Sequence, residues 1–379
     1  MIVEVERVGH GGVCVAHVPD GRVVFVRHAL PGEQVRLAVT EERSSYLRAD
    51  AVEVIRASPH RVEPPCPYAG PGRCGGCDWQ HAALNEQRRM KAVVVGEQLR
   101  RLAGLDVDVV VEPVPGDDGG LHWRTRLRLA AGPDGRAGLH KHRSHLIEPI
   151  DDCLIAAPGA DVPDAVGRSW PAGAEVSIDV TATGERALSV GTPDRTVTEV
   201  AAGREWQVPV GGFWQVHPGA ADTLVAAVTG ALAPRPDERL LDLYAGVGLF
   251  AGALAPLVRT AVAVESDSRA ARAATANLAE LPVTVVRDRV DRWLTRQHDG
   301  SAFDCVVLDP PRKGAGRDVV TAVAGLRPRA IAYVACEPSA LARDLATFAG
   351  FGYRLSGLRA FDLFPMTAHV ECVALLERA

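Results

Sequence analysis

The chain has 379 residues, of which 47% are hydrophobic and 23% are charged, and its formal net charge is −5. This length predicts two or three domains, and the composition is that of a globular protein without an apolar run long enough to span a membrane. The acidic balance excludes a globally basic nucleic-acid-binding protein, so any contact with nucleic acid needs a local basic patch.

Short strands separated by turns are predicted for residues 1–58. Residues 23–26 form an apolar run after the turn sequence Pro19-Asp20-Gly21, and residues 35–39 alternate between polar and apolar side chains. Several such strands in so short a segment favour a small β-barrel. The proline-rich stretch 59–67 predicts a domain boundary.

Three cysteines begin at the end of this stretch with the spacing C-x7-C-x2-C, at Cys66, Cys74 and Cys77. Cys153 is a candidate fourth ligand. The N-terminus lacks a secretory signal, so we expect a cytoplasmic protein, in which clustered cysteines indicate a metal site rather than disulfides. Four thiolates suit zinc and an iron–sulfur cluster equally well. The spacing alone leaves both open, and a structural zinc is the simpler interpretation.

A basic segment follows a predicted helix at residues 85–105. Arg124, Arg126 and Arg128 alternate with apolar residues, which predicts a strand with one basic face, and Lys141 and Arg143 come shortly after. Such a segment is a candidate track for nucleic-acid phosphates. The alternative is an ordinary solvated strand face in an arginine-rich chain.

From residue 238 onward the pattern changes to strand, turn and helix. Apolar runs at 239–244, 261–265, 283–287, 304–309 and 329–335 are separated by alanine-rich helical segments. This alternation predicts a mostly parallel α/β sheet covered on both faces. A final pair of runs, at 351–358 and 369–376, is predicted to close the sheet as a hairpin.

The first of these strands runs into a glycine turn with the pattern D-x-x-x-G-x-G, in which Asp242, Gly246 and Gly248 are the fixed positions. Glycines at this place let a ligand approach the backbone. Glu265 ends the next strand, where a carboxylate can bind ribose hydroxyls, and Asp288 ends the third. The pattern resembles that of class I S-adenosylmethionine methyltransferases; a dinucleotide enzyme and a plain turn are the alternatives.

Asp309, Cys336 and Glu371 lie at or near the ends of apolar runs in the same half of the chain. In a doubly wound sheet, ligands bind at the carboxyl ends of the strands, so Asp309 and Cys336 are expected to face one pocket. A cysteine can act as a nucleophile and a carboxylate as a base. The alternatives are a buried structural cysteine and an edge-strand glutamate.

Across nearly its whole length the chain resembles the RNA uracil-5-methyltransferase family, in the subgroup with a TRAM domain and an iron–sulfur cluster. The resemblance is carried by Asp309-Pro310-Pro311-Arg312, by Cys336-Glu337-Pro338 and by His369-Val370-Glu371. It implies that Cys336 is the nucleophile, which adds to carbon 6 of uracil, and that Glu371 accepts the proton from carbon 5.

The resemblance also implies the cofactor residues. Phe213-Trp214-Gln215-Val216 matches the segment whose glutamine, here Gln215, contacts S-adenosylmethionine. Tyr244, Glu265, Asp288 and Asp309 match positions that line the cofactor and base pocket. The chain departs from the family at Leu249, where a polar residue is common, so no side-chain hydrogen bond is expected from that position.

Further expectations concern the other groups and partners. The N-terminal barrel resembles the OB-like TRAM fold, and the cysteine segment resembles one that binds a [4Fe–4S] cluster rather than zinc. RNA is the implied partner, with 23S ribosomal RNA favoured and transfer RNA as the alternative; we expect no membrane and no obligate protein partner. A catalytically silent RNA-binding protein is the rival from another class.

The expected architecture therefore has three parts. They are a TRAM-like β-barrel at 1–58, a central β-rich domain with the cysteines at 59–80 and 113–210, and a Rossmann-like methyltransferase domain at 81–112 and 211–379.

Overall fold

A computed structural model describes residues 1–297 and 302–378. In this part the chain forms two compact units, each built from separate segments. Unit 1 contains Met1–Val94, Asp117–Ile178 and Phe364–His369, and unit 2 contains Val95–Gly116, Asp179–Leu363 and Val370–Ala379. The three-domain division expected from the sequence stays a prediction.

Most of the regular structure is β-strand. In chain order the strands are β1 (Ile2–Glu4), β2 (Arg7–Val8), β3 (Cys14–His17), β4 (Val23–Arg27), β5 (Gln34–Glu42), β6 (Tyr46–Arg56), β7 (Val111–Glu112), β8 (Arg126–Ala131), β9 (Ala137–His140), β10 (Ile147–Pro149), β11 (Glu175–Val180), β12 (Arg186–Val190), β13 (Thr196–Ala201), β14 (Arg204–Pro209), β15 (Arg239–Leu243), β16 (Thr260–Glu265), β17 (Val283–Arg287), β18 (Cys305–Leu308), β19 (Ala330–Ala335), β20 (Tyr353–Phe361) and β21 (Glu371–Arg378).

The α-helices lie mainly in the second half of the chain. They are α1 (Leu84–Ala103), α2 (Val162–Gly167), α3 (Ala220–Leu232), α4 (Leu249–Leu254), α5 (Ser268–Asn277), α6 (Val290–Thr295), α7 (Arg317–Gly325) and α8 (Pro338–Ala349). Among the helices of the described residues, none combines the length and apolar character that a bilayer crossing needs.

Unit 1 begins with a six-stranded sheet in the order β1-β5-β6-β4-β3-β2. Its strands alternate between inward and outward side chains, and Val24, Val26, Leu47 and Ala49 lie in one hydrophobic core. This confirms the short strands predicted for the N-terminal segment. A second sheet joins β10, β9, β8 and β11 in that order.

The segment Phe364–His369 belongs to unit 1, although it lies between the last two strands of unit 2 in the chain. The Gln87 side chain accepts a hydrogen bond from Met366 N at 2.8 Å, and Lys91 Nζ, buried on α1, donates to Phe364 O at 3.0 Å. Met366 O accepts from the backbone N–H groups of Asp78 and Trp79 at 3.0 Å each. Unit 1 is therefore completed by residues close to the C-terminus.

Unit 2 contains an eight-stranded sheet in the order β17-β16-β15-β18-β19-β21-β20-β7. Strands β15 to β19 pair in parallel, and β21 is antiparallel to both β19 and β20. This confirms the predicted parallel sheet and its closing hairpin. The short β7 adds to β20 at the edge, a pairing that the sequence did not indicate.

The topology brings distant residues to one edge of the sheet. The parallel strands β15, β18 and β19 end at the same edge, and Asp309 and Cys336 directly follow β18 and β19. Because β21 is antiparallel to β19, its first residue, Glu371, lies at that edge as well, beside the pair Ala335–Cys372. We call this edge, with the loops that leave it, the carboxyl edge.

An ion pair lies at the opposite edge. The Arg329 guanidinium donates two hydrogen bonds to the Glu238 carboxylate, one of them at 2.7 Å from Nη2. Arg329 Nη2 also donates to Leu232 O at 2.9 Å, which ties the end of α3 to the start of β19. The bond from Arg329 lowers the pKa of the buried Glu238 to about 2.

We expect Glu238→Gln to lower the free energy of unfolding by roughly 1–3 kcal/mol at neutral pH, because it leaves Arg329 without its charged partner. A carboxylate with a lowered pKa stabilises the fold above its unfolded pKa, so the difference from wild type shrinks as the pH falls from about 4.5 towards 2. Urea unfolding across this range measures it. Glu280→Gln, an exposed control, should change little; an equal loss at every pH would contradict the assignment.

Candidate active site

The glycine turn after β15 has a tightly constrained backbone. Tyr244, Gly246 and Gly248 all have positive φ, at 66°, 57° and 93°. A Cβ at Gly248 would lie 2.7 Å from a Leu278 methyl carbon, so only glycine fits there. Asp242 Oδ2 accepts a hydrogen bond from Ala251 N at 2.8 Å and thus links the strand to α4.

Glu265 ties this turn to the end of the neighbouring strand. Its Oε2 accepts a hydrogen bond from Gly246 N at 2.8 Å, and its Oε1 accepts from Asp267 N at 2.6 Å. The backbone N–H of Asp288 donates to the backbone oxygen of Glu265. The Asp288 carboxylate pairs with Arg296. Glu265, predicted at the end of β16, is therefore bonded to the glycine turn, and Asp288 directly follows β17.

The other positions that the sequence predicts for the cofactor have different surroundings. Gln215 is half-buried in the loop between β14 and α3. Leu249 is buried with Trp206 in a hydrophobic cluster, as an apolar residue requires. Burial, followed by the charges of Asp291 and Asp344, raises the pKa of Tyr244 to about 12.

Two carboxyl groups are crowded at the ends of β15 and β18. Asp309 N donates to Leu243 O at 3.3 Å across the two strands. Asp309 is half-buried directly after β18. Burial and then the charge of Asp242 raise the pKa of Asp309 to about 7, and burial raises that of Asp242 to about 7.

Cys336 and Glu371 are neighbours at the carboxyl edge. Burial and then the negative charge of Glu371 raise the pKa of the Cys336 thiol to about 12. Burial and then Asp309 raise the pKa of Glu371 well above its ordinary value, and the exposed Arg312 opposes the shift in both groups. The structure thus brings together a thiol, a basic carboxylate and a cation.

Cys336 differs from the other cysteines outside the metal-site candidates in its accessibility. Cys14, Cys305 and Cys372 are fully buried, as expected for core residues, whereas Cys336 keeps part of its surface open. A partly exposed thiol next to a carboxylate can reach a ligand, and a fully buried one cannot. The geometry therefore favours Cys336 among these as the nucleophile.

Asp344 on α8 holds the loop that carries Arg312. Its Oδ2 accepts hydrogen bonds from Tyr333 Oη at 2.6 Å and from Ala315 N at 2.7 Å. A Cβ at Gly314, where φ is 85°, would lie 2.8 Å from the same oxygen. Sequence reasoning missed this group; a buried aspartate on the apolar face of α8 was the available signal.

The four clustered cysteines line a single small cavity in unit 1. Cys66, Cys74, Cys77 and Cys153 all contribute to its wall. Within the described residues, no three histidine, cysteine or acidic side chains are close enough to hold a metal ion as they stand. Burial raises the pKa of Cys153 to about 11 and that of Cys74 above its usual range. The sulfur atoms surround one space, and a bound group would have to draw them closer.

The predicted basic face is wrong at Arg126. This residue is 8% exposed at the start of β8, and Arg124 is half-buried on the wall of the cysteine cavity. The segment is an interior strand: β8 lies between β9 and β11, and just before it the backbone of Arg124 hydrogen-bonds to Ile155 and Ala157. Only Arg128 is exposed there, and it pairs with Glu175 at 3.3 Å.

The two later basic residues are more accessible. Lys141 is half-buried and pairs with Glu148 at 3.0 Å. Arg143 is exposed at the tip of the connection between β9 and β10, with φ of 49°. The five predicted residues therefore do not form one exposed track.

Known families match both ends of the chain. The TRAM domain matches residues 1–52, and the tRNA (uracil-5-)-methyltransferase family matches residues 212–379. An uncharacterized RNA methyltransferase of Streptomyces coelicolor is 49% identical over 100% of this chain and 92% of its own length. A 23S rRNA (uracil(1939)-C(5))-methyltransferase of Chromohalobacter salexigens is 34% identical over 99% of this chain and 89% of its own length. The chain belongs to the RNA uracil-5-methyltransferase family.

A solved structure supports the fold of this family member. The tRNA (uracil-54, C5)-methyltransferase of Pyrococcus abyssi, in complex with S-adenosyl-L-homocysteine, aligns with a TM-score of 0.75 over 99% of this chain and 100% of that one. At 22% identity the likeness shows the fold alone. The expected fold class, a methyltransferase sheet with an N-terminal TRAM domain, is confirmed.

We expect Asp344→Ala to destabilise the methyltransferase unit by about 1–3 kcal/mol, because Ala315 N and Tyr333 Oη lose a buried acceptor. Asp344→Asn retains one acceptor oxygen and should lose less. Thermal unfolding measures both variants, with the exposed Asp318→Asn on α7 as the matched control. Equal unfolding temperatures for wild type and Asp344→Ala would show that the loop is held by other contacts.

Proposed function

We propose that this protein transfers a methyl group from S-adenosylmethionine to carbon 5 of a uridine in RNA. The observation that carries the proposal is the pairing of a partly exposed Cys336 with the buried Glu371 at the carboxyl edge. Family membership supplies the reaction class, and the pairing supplies the two groups that the reaction requires.

The chemistry asks for a nucleophile first. Carbon 5 of uracil is a weak nucleophile, and addition of the Cys336 thiolate to carbon 6 places electron density on carbon 5. Bound S-adenosylmethionine supplies the methyl group that this carbon takes. Arg312 opposes the charge of the neighbouring carboxylates and so favours the thiolate.

The second half of the reaction needs a base. Glu371 removes the proton from carbon 5, the electrons of that C–H bond restore the double bond between carbons 5 and 6, and the C–S bond breaks to release Cys336 as thiolate. The raised pKa of Glu371 makes its carboxylate a stronger base than an exposed glutamate. Because the carboxylate form is needed, the rate should rise with pH as Glu371 ionises.

The glycine turn is the proposed cofactor site. Gly246 and Gly248 would let the ligand approach the backbone, and Glu265, which is bonded to Gly246 N, is the proposed partner of the ribose hydroxyls. Tyr244, Asp288, Asp309 and Gln215 are carried over from the family resemblance. Asp288 would have to exchange its pairing with Arg296 for a contact with the ligand.

Ribosomal RNA is the favoured substrate, since the relatives with named substrates at 34% and 32% identity are 23S rRNA methyltransferases. Transfer RNA is the second candidate, because the family that matches residues 212–379 is named for it. Mapping of 5-methyluridine in both RNAs from a deletion strain distinguishes the two. Arg128, Lys141 and Arg143 are the proposed RNA contacts among the basic residues predicted from the sequence.

We expect Cys336→Ala to bind RNA but to lower product formation by roughly 10³-fold or more, because no other group activates carbon 5. Glu371→Gln should accumulate a covalent RNA adduct, since the carbon 5 proton then has no acceptor. Denaturing gels with labelled RNA measure the adduct, and methyl incorporation measures the product. Cys305→Ala, a buried cysteine at the other end of the sheet, is the control.

Either of two results would overturn this assignment. One is product formation at the wild-type rate by Cys336→Ala. The other is an adduct in Glu371→Gln that survives replacement of Cys336.

We also infer that Cys66, Cys74, Cys77 and Cys153 hold a [4Fe–4S] cluster. Four soft thiolate donors around one cavity fit such a cluster and also fit zinc. The group would stabilise unit 1, because it would join Cys153 to residues far earlier in the chain.

Protein purified without oxygen should contain about four iron and four sulfide per chain, as the cluster type requires. Cys153→Ala should lose them, whereas Cys14→Ala, a buried cysteine outside the cavity, should retain them. Iron, sulfide and zinc assays with the visible absorption spectrum are the measurements. One zinc per chain without iron would show that the cysteines hold a structural zinc and not the cluster.

A further inference from the structure

Two strands of the six-stranded sheet in the TRAM domain, β4 and β6, carry aromatic side chains on their outer face. β4 pairs in parallel with β6, with Val23 opposite Tyr46 and Phe25 opposite Arg48. Because side chains alternate along a strand, the core residues Val24 and Leu47 place Phe25, Tyr46 and Arg48 on the other face. This face is half-buried, so its aromatic rings are not part of the hydrophobic core.

The rings and one guanidinium form a compact group. The ring centroids of Phe25 and Tyr46 are 5.7 Å apart, at an interplanar angle of 66°. The guanidinium carbon of Arg48 lies 5.5 Å from each centroid. We call Phe25, Tyr46 and Arg48 the aromatic platform.

The row of outward side chains continues with Arg27, which forms an ion pair with Asp78 but no hydrogen bond from Nη2. Arg27 follows Phe25 on the same face of β4, and its Nη2 is buried without a hydrogen bond. The nearest carboxylate oxygen given for it, Asp78 Oδ1, is 3.9 Å away. The next residue, His28, has the same property at Nε2, 3.9 Å from Asp50 Oδ1.

Further positive charge lies close to the platform. Burial and then the charge of Arg27 lower the pKa of His142, and Arg143 and Arg48 act in the same direction. His142 and Arg143 belong to the connection between β9 and β10, in the same unit as the platform. Two segments distant in sequence thus meet in one cationic region.

Acidic groups limit the net charge of this region. Glu41 pairs with Arg48 at 3.2 Å, and Asp50 and Asp78 lie near His28 and Arg27. Electrostatic attraction alone therefore gives little affinity for a polyanion. A ligand that fits must use the π-faces of the platform as well as the cations, and a lipid surface offers no such faces.

We propose that the aromatic platform stacks an unpaired base of single-stranded RNA, while the exposed Arg143 binds an adjoining phosphate. Unpaired bases stack on aromatic rings and on guanidinium planes, and every base has a suitable face. In a duplex the bases are already stacked on each other, so the platform selects single-stranded segments. The proposal rests on the proposed function in that RNA is the ligand.

The first test measures binding of an oligouridine of roughly 12 nucleotides. Tyr46→Leu and Phe25→Leu should each weaken binding roughly 5- to 150-fold, the range reported for loss of one base–aromatic stack. Tyr46→Phe keeps the ring and should bind as wild type does. Arg36→Ala, an exposed arginine on the same sheet but outside the platform, is the matched control. Arg48→Ala keeps both rings and removes only the guanidinium from the platform. Urea unfolding checks that each variant is folded.

A second probe separates the base from the backbone. An abasic ribose-phosphate chain of the same length should bind wild type and Tyr46→Leu equally, because it offers nothing to stack. Arg143→Ala should reduce the slope of log Kd against log salt by about 0.7, as expected for one phosphate contact to a single strand. Affinity of both leucine variants within twofold of wild type, or an equal loss with the abasic probe, would overturn the proposal.

Methyl transfer distinguishes failure of the platform from failure of the proposed function. Platform variants should raise KM for RNA with kcat unchanged at saturating RNA, whereas Cys336→Ala should abolish turnover with RNA binding intact. If the leucine variants bind RNA more weakly but the wild-type protein methylates no uridine, the platform is supported and the proposed function is contradicted. If the wild-type protein methylates uridine but the leucine variants bind RNA as it does, the function is supported and the platform is contradicted.

Discussion

Removal of ionisable groups from water at the carboxyl edge is the constraint on which the rest of the site depends. Asp242, Asp309, Glu371 and Cys336 lie together where three parallel strands end, and burial is the largest cause of the raised pKa of each. Such an arrangement opposes ionisation, because the charged forms lose their hydration and, to a smaller degree, because each charge repels the next. The same crowding makes the carboxylates strong bases and leaves the thiol in need of the cation at Arg312.

A crowded site of this kind requires rigid supports, since like-charged groups would otherwise move apart. Glu265 fastens the glycine turn through Gly246 and Asp267, and Asp344 fastens the loop after Asp309 through Ala315 and Tyr333. Both supports are carboxylates that accept backbone N–H groups. They fix the path of the main chain in the two loops.

The parts of this site that the sequence predicts are those with a local signature. The apolar runs of β18 and β19, each followed at once by a reactive residue, indicate the sheet and place Asp309 and Cys336 at its edge. The parts that it does not predict depend on pairing between distant segments. Asp344 accepts from residues on another strand and another loop, and Arg126 is buried on a strand that lies between β9 and β11, although its own sequence pattern indicates an exposed face.

The position of Phe364–His369 has a consequence for how the chain acquires its fold during synthesis. The backbone and side-chain bonds from Asp78, Trp79, Gln87 and Lys91 to this segment are formed by residues that leave the ribosome early. Their partners follow 273 or more residues later in the chain. Until this segment has been made, Gln87 and Lys91 lack these partners, and a truncation just before residue 364 would damage unit 1 as well as unit 2.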